Sequence, residues 1–383
     1  MTWEQAISVA ALVLALAALV VGLIVLQRIR ERGAKVDPLV SPAEPDRERA
    51  SGPPAFVVNP IKTRDVDELR RLALEIAGEL QLDEPLWFET TPEDPGVGQA
   101  REALAAGASV VVAAGGDGTV RAVATALAGT GTPMALLPMG TGNLLARNLD
   151  LPLDGTASLV RTALGGTDHP IDIGWIRPHR LSRAAGNDED TAPESETDAA
   201  VGALTNAAGE HLFLVMAGIG FDAAMVAGAD DELKSKMGWF AYFVAGARHL
   251  HGRKLRLRMR VGEGEVRPLK VRSLLLANCG RLPGGIVLLP DAELNDGWLD
   301  VAALDTRNGL LGWASLFGKV VLQGLGIRRD LPVSPSSIEF WRGREVAVSC
   351  DQPEHLQVDG DLIGEATAVT ARLQAGGLRV RTR

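Results

Sequence analysis

Only two cysteines, Cys279 and Cys350, occur in 383 residues. That excludes a disulfide framework and a four-thiolate zinc site, and it suits a reducing compartment. Aromatic residues are scarce at 4%, against 43 glycines, so turns and close backbone approaches must carry much of the design. Positive charge is also short. Lys and Arg number 39 against 48 Asp and Glu, a net of −9, which argues against nucleic acid as a partner because phosphate backbones select basic surfaces. What is present is 46% apolar and 23% charged residues, enough for a packed core and unlike a disordered or fibrous chain. The length suits two domains better than one.

The 21 residues from Ala6 to Leu26 carry no charge and no polar stripe. As a helix they would span roughly 31 Å, the thickness of a bilayer core. Glu4 precedes the stretch, and Arg28, Arg30, Arg32 and Lys35 follow it, the reverse of a secretory signal. The expectation is a single-pass anchor in the cell membrane with the rest of the chain cytoplasmic. Pro38, Pro42, Pro45, Pro53 and Pro54 then mark a linker.

From Ala55 to about Asp150, strand and helix signals alternate. Ala55–Val58, Leu86–Phe88, Ser109–Ala114 and Met134–Leu137 read as strands. A helix opened by Asp65, and those over Gln99–Ala108, Val120–Leu127 and from Leu144 to Asn148, read as the intervening elements. This rhythm predicts a parallel, helix-covered sheet. After Asp172 the pattern turns to strands: Lys254–Val261, Val266–Leu276, Trp298–Leu304, Glu345–Val348, Leu356–Val358 and Leu378–Val380, which predict an antiparallel sandwich. Two helical stretches, Lys236–His249 and Leu310–Leu325, interrupt it. Between Gly186 and Gly209 six acids stand without a base, so this insertion, read as disordered, supplies six of the nine excess negative charges.

Two glycine-rich junctions carry the chemistry. Gly115-Gly116-Asp117-Gly118-Thr119 lies between a buried strand and a helix, where backbone N–H groups and a helix N-terminus can converge on an anion. It is neither a Walker loop nor a dinucleotide fingerprint. A tight turn with an Asp helix cap is the plainer account of it. The second junction, Pro138-Met139-Gly140-Thr141-Gly142-Asn143, has the same strand-to-helix setting, so two such turns lie at the C-terminal ends of two buried strands, where open α/β sheets bind ligands. An aspartate in such a loop can hold Mg²⁺ beside bound phosphates.

With Asn59-Pro60 and the Leu-Leu-Ala-Arg that follows Asn143, these motifs resemble the nucleotide-binding half of the diacylglycerol kinase catalytic domain family, which includes bacterial lipid kinases, sphingosine kinases and ceramide kinases. Gly218–Ala223, Lys236–Tyr242, Pro290–Asp300 and Val358-Asp359-Gly360-Asp361 resemble segments of its second domain, in the same order. The resemblance implies α/β plus all-β architecture: a nucleotide-binding domain over residues 55–172, and a β-rich lipid-substrate domain over 173–383. It implies ATP and Mg²⁺ as cofactors, held by Asn59, Gly115, Gly116, Asp117, Gly118, Thr119, Gly140, Thr141, Gly142 and Asn143. The metal would fall to Asp117 and Asp296. Asp359 would take the alcohol proton, with Asp361 beside it. Partners implied are a membrane lipid and the bilayer, with no nucleic acid and a homodimer left open. Leu144 stands where many bacterial members have aspartate, and Asp361 where glutamate is usual.

The rivals are a dinucleotide kinase sharing the Gly-Gly-Asp-Gly core and a catalytically silent nucleotide-binding membrane protein. Asp359-Gly360 taken bare is an ordinary hairpin turn, and Asn295-Asp296-Gly297 is an ordinary turn too. The six histidines form no catalytic set, His249 and His251 suiting surface or capping roles, and both cysteines are expected to be inert. On Lys254–Val261 the period of two gathers Lys254, Arg256, Arg258 and Arg260 on one face. That is either a solvated face over a core or a surface for anionic headgroups.

Overall fold

Burial of apolar backbone-paired strands sets the first half of the molecule. The computed structural model describes residues 52–182, 205–206, 208–220, 254–281, 289, 291–306 and 336–383, all within one unit, Ala50–Arg383. Strands β1 (Pro54–Val58), β3 (Val110–Gly115) and β4 (Met134–Pro138) are apolar and buried almost throughout, as strands covered on both faces must be. With β2 (Leu86–Glu89) at the edge they form a parallel sheet in the order β2-β1-β3-β4.

Helix α1 (Val66–Glu79) starts where expected: the Asp65 carboxylate accepts from the Glu68 N–H at 2.8 Å. It buries Leu69, Ala73, Ile76 and Ala77, one helical stripe. Helices α2 (Val97–Ala105), α3 (Asp117–Leu127) and α4 (Leu144–Asn148) follow the expected rhythm. Helix α5 (Thr156–Gly165) is an addition to the elements expected from the sequence; its Leu159, Val160, Ala163 and Leu164 join α1 over the sheet.

The second half is antiparallel. Strands β5 (Thr167–Ser182), β6 (His211–Phe213), β7 (Met216–Gly220), β8 (Leu255–Val261), β9 (Arg267–Val271) and β10 (Ser273–Ala277) are joined by β11 (Leu299–Thr306), β12 (Ser336–Gly343), β13 (Glu345–Val358) and β14 (Asp361–Thr382). Strand β13 pairs with β7, β8 and β14, and β14 with β5. At its far end β14 also reaches the parallel sheet, Val380 pairing with Met134 of β4, so 14 strands share one hydrogen-bonded network. Residues 172 and 173, where the sequence leads one to expect a domain change, lie inside β5.

Several strands are longer than their apolar cores. Glu345–Val348 and Leu356–Val358 are the two ends of β13, joined across an irregularity between Ser349 and Glu354. Leu378–Val380 is the end of the 22-residue β14. On β8, Leu255, Leu257 and Met259 are buried while Arg256, Arg258 and Arg260 face outward, the expected alternation of a strand with one face on a core.

One expectation is corrected. No helix among the described residues is long and apolar enough to cross a membrane. The longest, α1, has 14 residues and is amphipathic, reaching about 21 Å where a bilayer core needs about 30 Å. The expected single-pass anchor, and the cell-membrane placement built on it, thus find no spanning helix in the structure described. Residues 6–26 themselves lie outside the described residues, as do the stretches Phe221–Ala223 and Lys236–His249, the segment Leu310–Leu325 and nearly all of the acidic insertion.

Candidate active site

Strands β3 and β4 run parallel with Gly115 opposite Pro138, which puts the two glycine loops side by side. Contact between them is backbone on backbone: a Cβ on Gly140 would lie 2.8 Å from the Gly116 Cα, and one on Gly142 2.5 Å from Asp117 Oδ2. A Cβ on Gly115 would strike the Thr119 side chain. Around Gly118, by contrast, there is open space, and Thr141 is exposed.

Asp117 is the first residue of α3, and its carboxylate faces the other loop. Oδ2 accepts from the Asn143 N–H at 2.9 Å and Oδ1 from the Leu144 N–H at 2.6 Å. Asn143 adopts a left-handed φ of 48° and clamps its own loop, accepting from Gly140 N–H at 3.0 Å and donating to Gly140 O at 2.8 Å. Asn59 adds the third loop. Its N–H donates to Ala114 O at 2.8 Å, its Oδ1 accepts from Ile61 and Lys62, and its Nδ2 donates to Thr119 Oγ1 at 3.4 Å. Burial pushes the Asp117 carboxyl above its usual value; the two amide bonds oppose this and the negative Asp361 adds to it.

The hairpin turn between β13 and β14 is real. Asp359 and Gly360 are both left-handed, φ 47° and 91°, as a two-residue turn of this class requires. It does more than reverse the chain. Asp359 Oδ2 accepts from Leu214 N–H at 2.8 Å, and Oδ1 from the N–H groups of Val215 and Met216, both at 2.9 Å. Burial raises the Asp359 carboxyl to about 6, overcoming the opposing pull of Arg121 and of the three amides.

Arg121, on α3 four residues after Asp117, is the site residue that sequence reasoning passed over. Only 3% exposed, it donates through Nη1 to Val358 O at 2.6 Å and through Nη2 to Asp361 Oδ2 at 2.5 Å. It thereby joins the phosphate-loop helix to the Asp359–Asp361 turn. The available signal was a lone charge among the apolar residues Val120, Ala122, Val123 and Ala124. Nearby His211 is held neutral, brought down to about 4 by burial and by the Arg121 charge.

Asp296 stands in a different group. Its Oδ2 lies 3.0 Å from Arg342 Nη2, and Arg342 also pairs with Asp300. The neighbouring turn is fixed by Asp172, whose carboxylate accepts from Gly297 and Gly376 N–H, each at 2.7 Å. Among the described residues no three His, Cys, Asp or Glu side chains are grouped to cage a metal. Burial raises the Cys279 thiol well above its usual value and Cys350 to about 11, so neither is a nucleophile.

The arrangement fits a polyphosphate with Mg²⁺. The N-terminus of α3 has no side-chain cap, so its first amides remain for an anion. Mg²⁺ keeps most of its waters and needs only one or two carboxylates beside phosphate oxygens, and Asp117, set between the two glycine loops, can supply one.

Two family descriptions match the chain: "Diacylglycerol kinase catalytic domain" over residues 55–176, and "YegS C-terminal NAD kinase beta sandwich-like domain" over 215–382. The chain is similar to a "Probable lipid kinase YegS-like" of Pseudomonas putida KT2440, 31% identical over 284 residues, covering 74% of this chain and 77% of the relative. A protein of the same description from Pseudomonas aeruginosa PAO1 is 31% identical over 316 residues, covering 80% and 87%. Among solved structures, a diacylglycerol kinase from Bacillus anthracis Sterne superposes with a TM-score of 0.62 at 16% identity, over 86% of this chain and 97% of that one, a likeness of fold.

Proposed function

The chain is a kinase of the diacylglycerol kinase catalytic domain family, and from that premise we propose that it transfers the γ-phosphoryl group of ATP to a hydroxyl of a membrane lipid, diacylglycerol or a related lipid alcohol. The observation that carries this reading is the meeting of two glycine loops, cross-tied by Asp117, with a turn that presents a carboxylate of raised pKa. The first amides of α3 and the loops of Gly115–Thr119 and Gly140–Asn143 bind and orient the phosphates. Asp117 would hold the Mg²⁺ bound with ATP, which would supply charge neutralisation on the transferring group.

Asp359 accepts the alcohol proton. A carboxylate offers about four lone-pair positions; amides fill three of those on Asp359, and the remaining one is free for the acceptor O–H. Asp296, tied to Arg342, is assigned to holding its own turn instead of the metal. The test incubates the full chain with ATP, Mg²⁺ and separate panels of diacylglycerols, sphingoid bases and polyprenols, with a nicotinamide dinucleotide as the soluble arm. A phosphorylated lipid that is lost in Asp359→Asn supports the reading. Phosphorylated dinucleotide without phosphorylated lipid, or identical output from wild type and mutant, overturns it.

A further inference from the structure

The base turn is held from two sides by different means. From within, the Asp359 carboxylate is gripped by the amides of residues 214–216. From outside, one guanidinium spans the turn, touching Val358 O on one flank and Asp361 on the other. That guanidinium belongs to α3, the helix that begins at the phosphate loop.

A buried charge is a poor way of gaining stability, because desolvation opposes what the ion pair returns. Here the cost is not even fully offset, since Arg121 Nε is buried without a partner, and Asp361, its ionic partner, is half exposed, with 54% of its side chain accessible. An apolar residue would pack this buried face of α3, beside Ala124, more cheaply. What an apolar residue would not do is fix the distance and angle between the start of α3 and the Asp359 carboxylate. A planar fork with donors pointing along two directions does that.

We infer that Arg121 is a positioning residue, a latch that locks the Asp359–Asp361 turn to the phosphate-loop helix so that the proton acceptor and the transferring phosphate keep one geometry. The role assigned to Asp361 changes accordingly: it is the latch's anchor. The short Asp361 side chain is met by an arginine long enough to come to it. This inference rests on the reading of Asp359 as the acceptor of the alcohol proton.

Because the latch acts on the alignment of the reacting groups and not on the nucleotide loops themselves, it governs turnover, not ATP affinity. In Arg121→Met, which keeps the stem volume and loses both donors, kcat is expected to fall about 100-fold, the order of loss that a misplacement of about 1 Å produces. KM for ATP should stay within about twofold. Arg121→Lys keeps the charge without the fork and should recover part of the loss, to about tenfold below wild type.

Hydrogen–deuterium exchange on the full chain reads the same latch without any acceptor. In Arg121→Met, the peptide spanning residues 356–363 should exchange faster while those of β3 and β4 stay protected. Unchanged exchange at the turn overturns the inference, and so does loss of protection throughout α3 and β3, which would make Arg121 a plain packing element. A wild-type chain that phosphorylates no lipid removes the lipid-kinase reading by itself; the exchange result then decides the latch alone.

Discussion

Asp359 and its neighbours concentrate the chemistry that single substitutions can reach. Burial raises its carboxyl to about 6, and a base works only when unprotonated. Phosphoryl transfer should therefore fall about tenfold per unit as pH drops below about 6 and level off above it. A pH–rate profile that stays flat from 5 to 8 contradicts the assignment. Asp359→Asn keeps size and loses basicity, at an expected cost of about 10²–10⁴ in kcat, read by initial rates at saturating ATP. Gly142→Ala tests the loop contact, since its Cβ would sit 2.5 Å from Asp117 Oδ2. The clash should cost roughly 1–3 kcal/mol in denaturant unfolding and weaken nucleotide binding measured by calorimetry, whereas Gly118→Ala, with open space around it, should leave the unfolding curve unchanged.

At the scale of elements, what was legible in the sequence was whatever rests on local periodicity or local caps. The apolar runs of β1, β3 and β4 and the Asp65 cap of α1 stand within a residue or two of their expected places, because both signals need only near neighbours. Asp65→Ala should lower stability by about 1 kcal/mol in a chemical unfolding curve and leave transfer unchanged, the cap lying outside the nucleotide loops. Elements without a clean period were lost or cut short. Helix α5 opens on a left-handed Gly155 with no side-chain cap. The polar Asp351 and Gln352 and the strand-breaking Pro353 run through the exposed middle of β13, so only its apolar ends read as strand.

The whole molecule depends on β14, which leaves the base turn, pairs along β5 and ends beside β4. Arg381, near its end, is 8% exposed and donates through Nε to Asp168 Oδ1 at 2.6 Å, with Nη1 reaching Leu164 O at 3.2 Å. Removing the carboxylate in Asp168→Ala leaves a buried cation. The expected loss is roughly 2–3 kcal/mol, below that of a fully buried pair because Asp168 retains some solvent access. Since β14 is shared by both halves, circular dichroism and tryptophan fluorescence should report one coincident transition for this variant; two separated transitions would show that the halves unfold independently.

The sequence by itself determined the alternation of strand and helix, the two glycine loops at strand ends, and the order of motifs along the chain, all of which depend on residue type and short spacing. Only the tertiary structure decided what those motifs touch. Arg121 meets Val358 across 237 positions of chain, and the Asp359 carboxylate is held by amides about 145 residues earlier. Backbone amides carry no residue signature, so no pattern of side chains could announce them. A lone arginine in an apolar helix becomes part of a site only when the fold brings an acceptor to each of its donors.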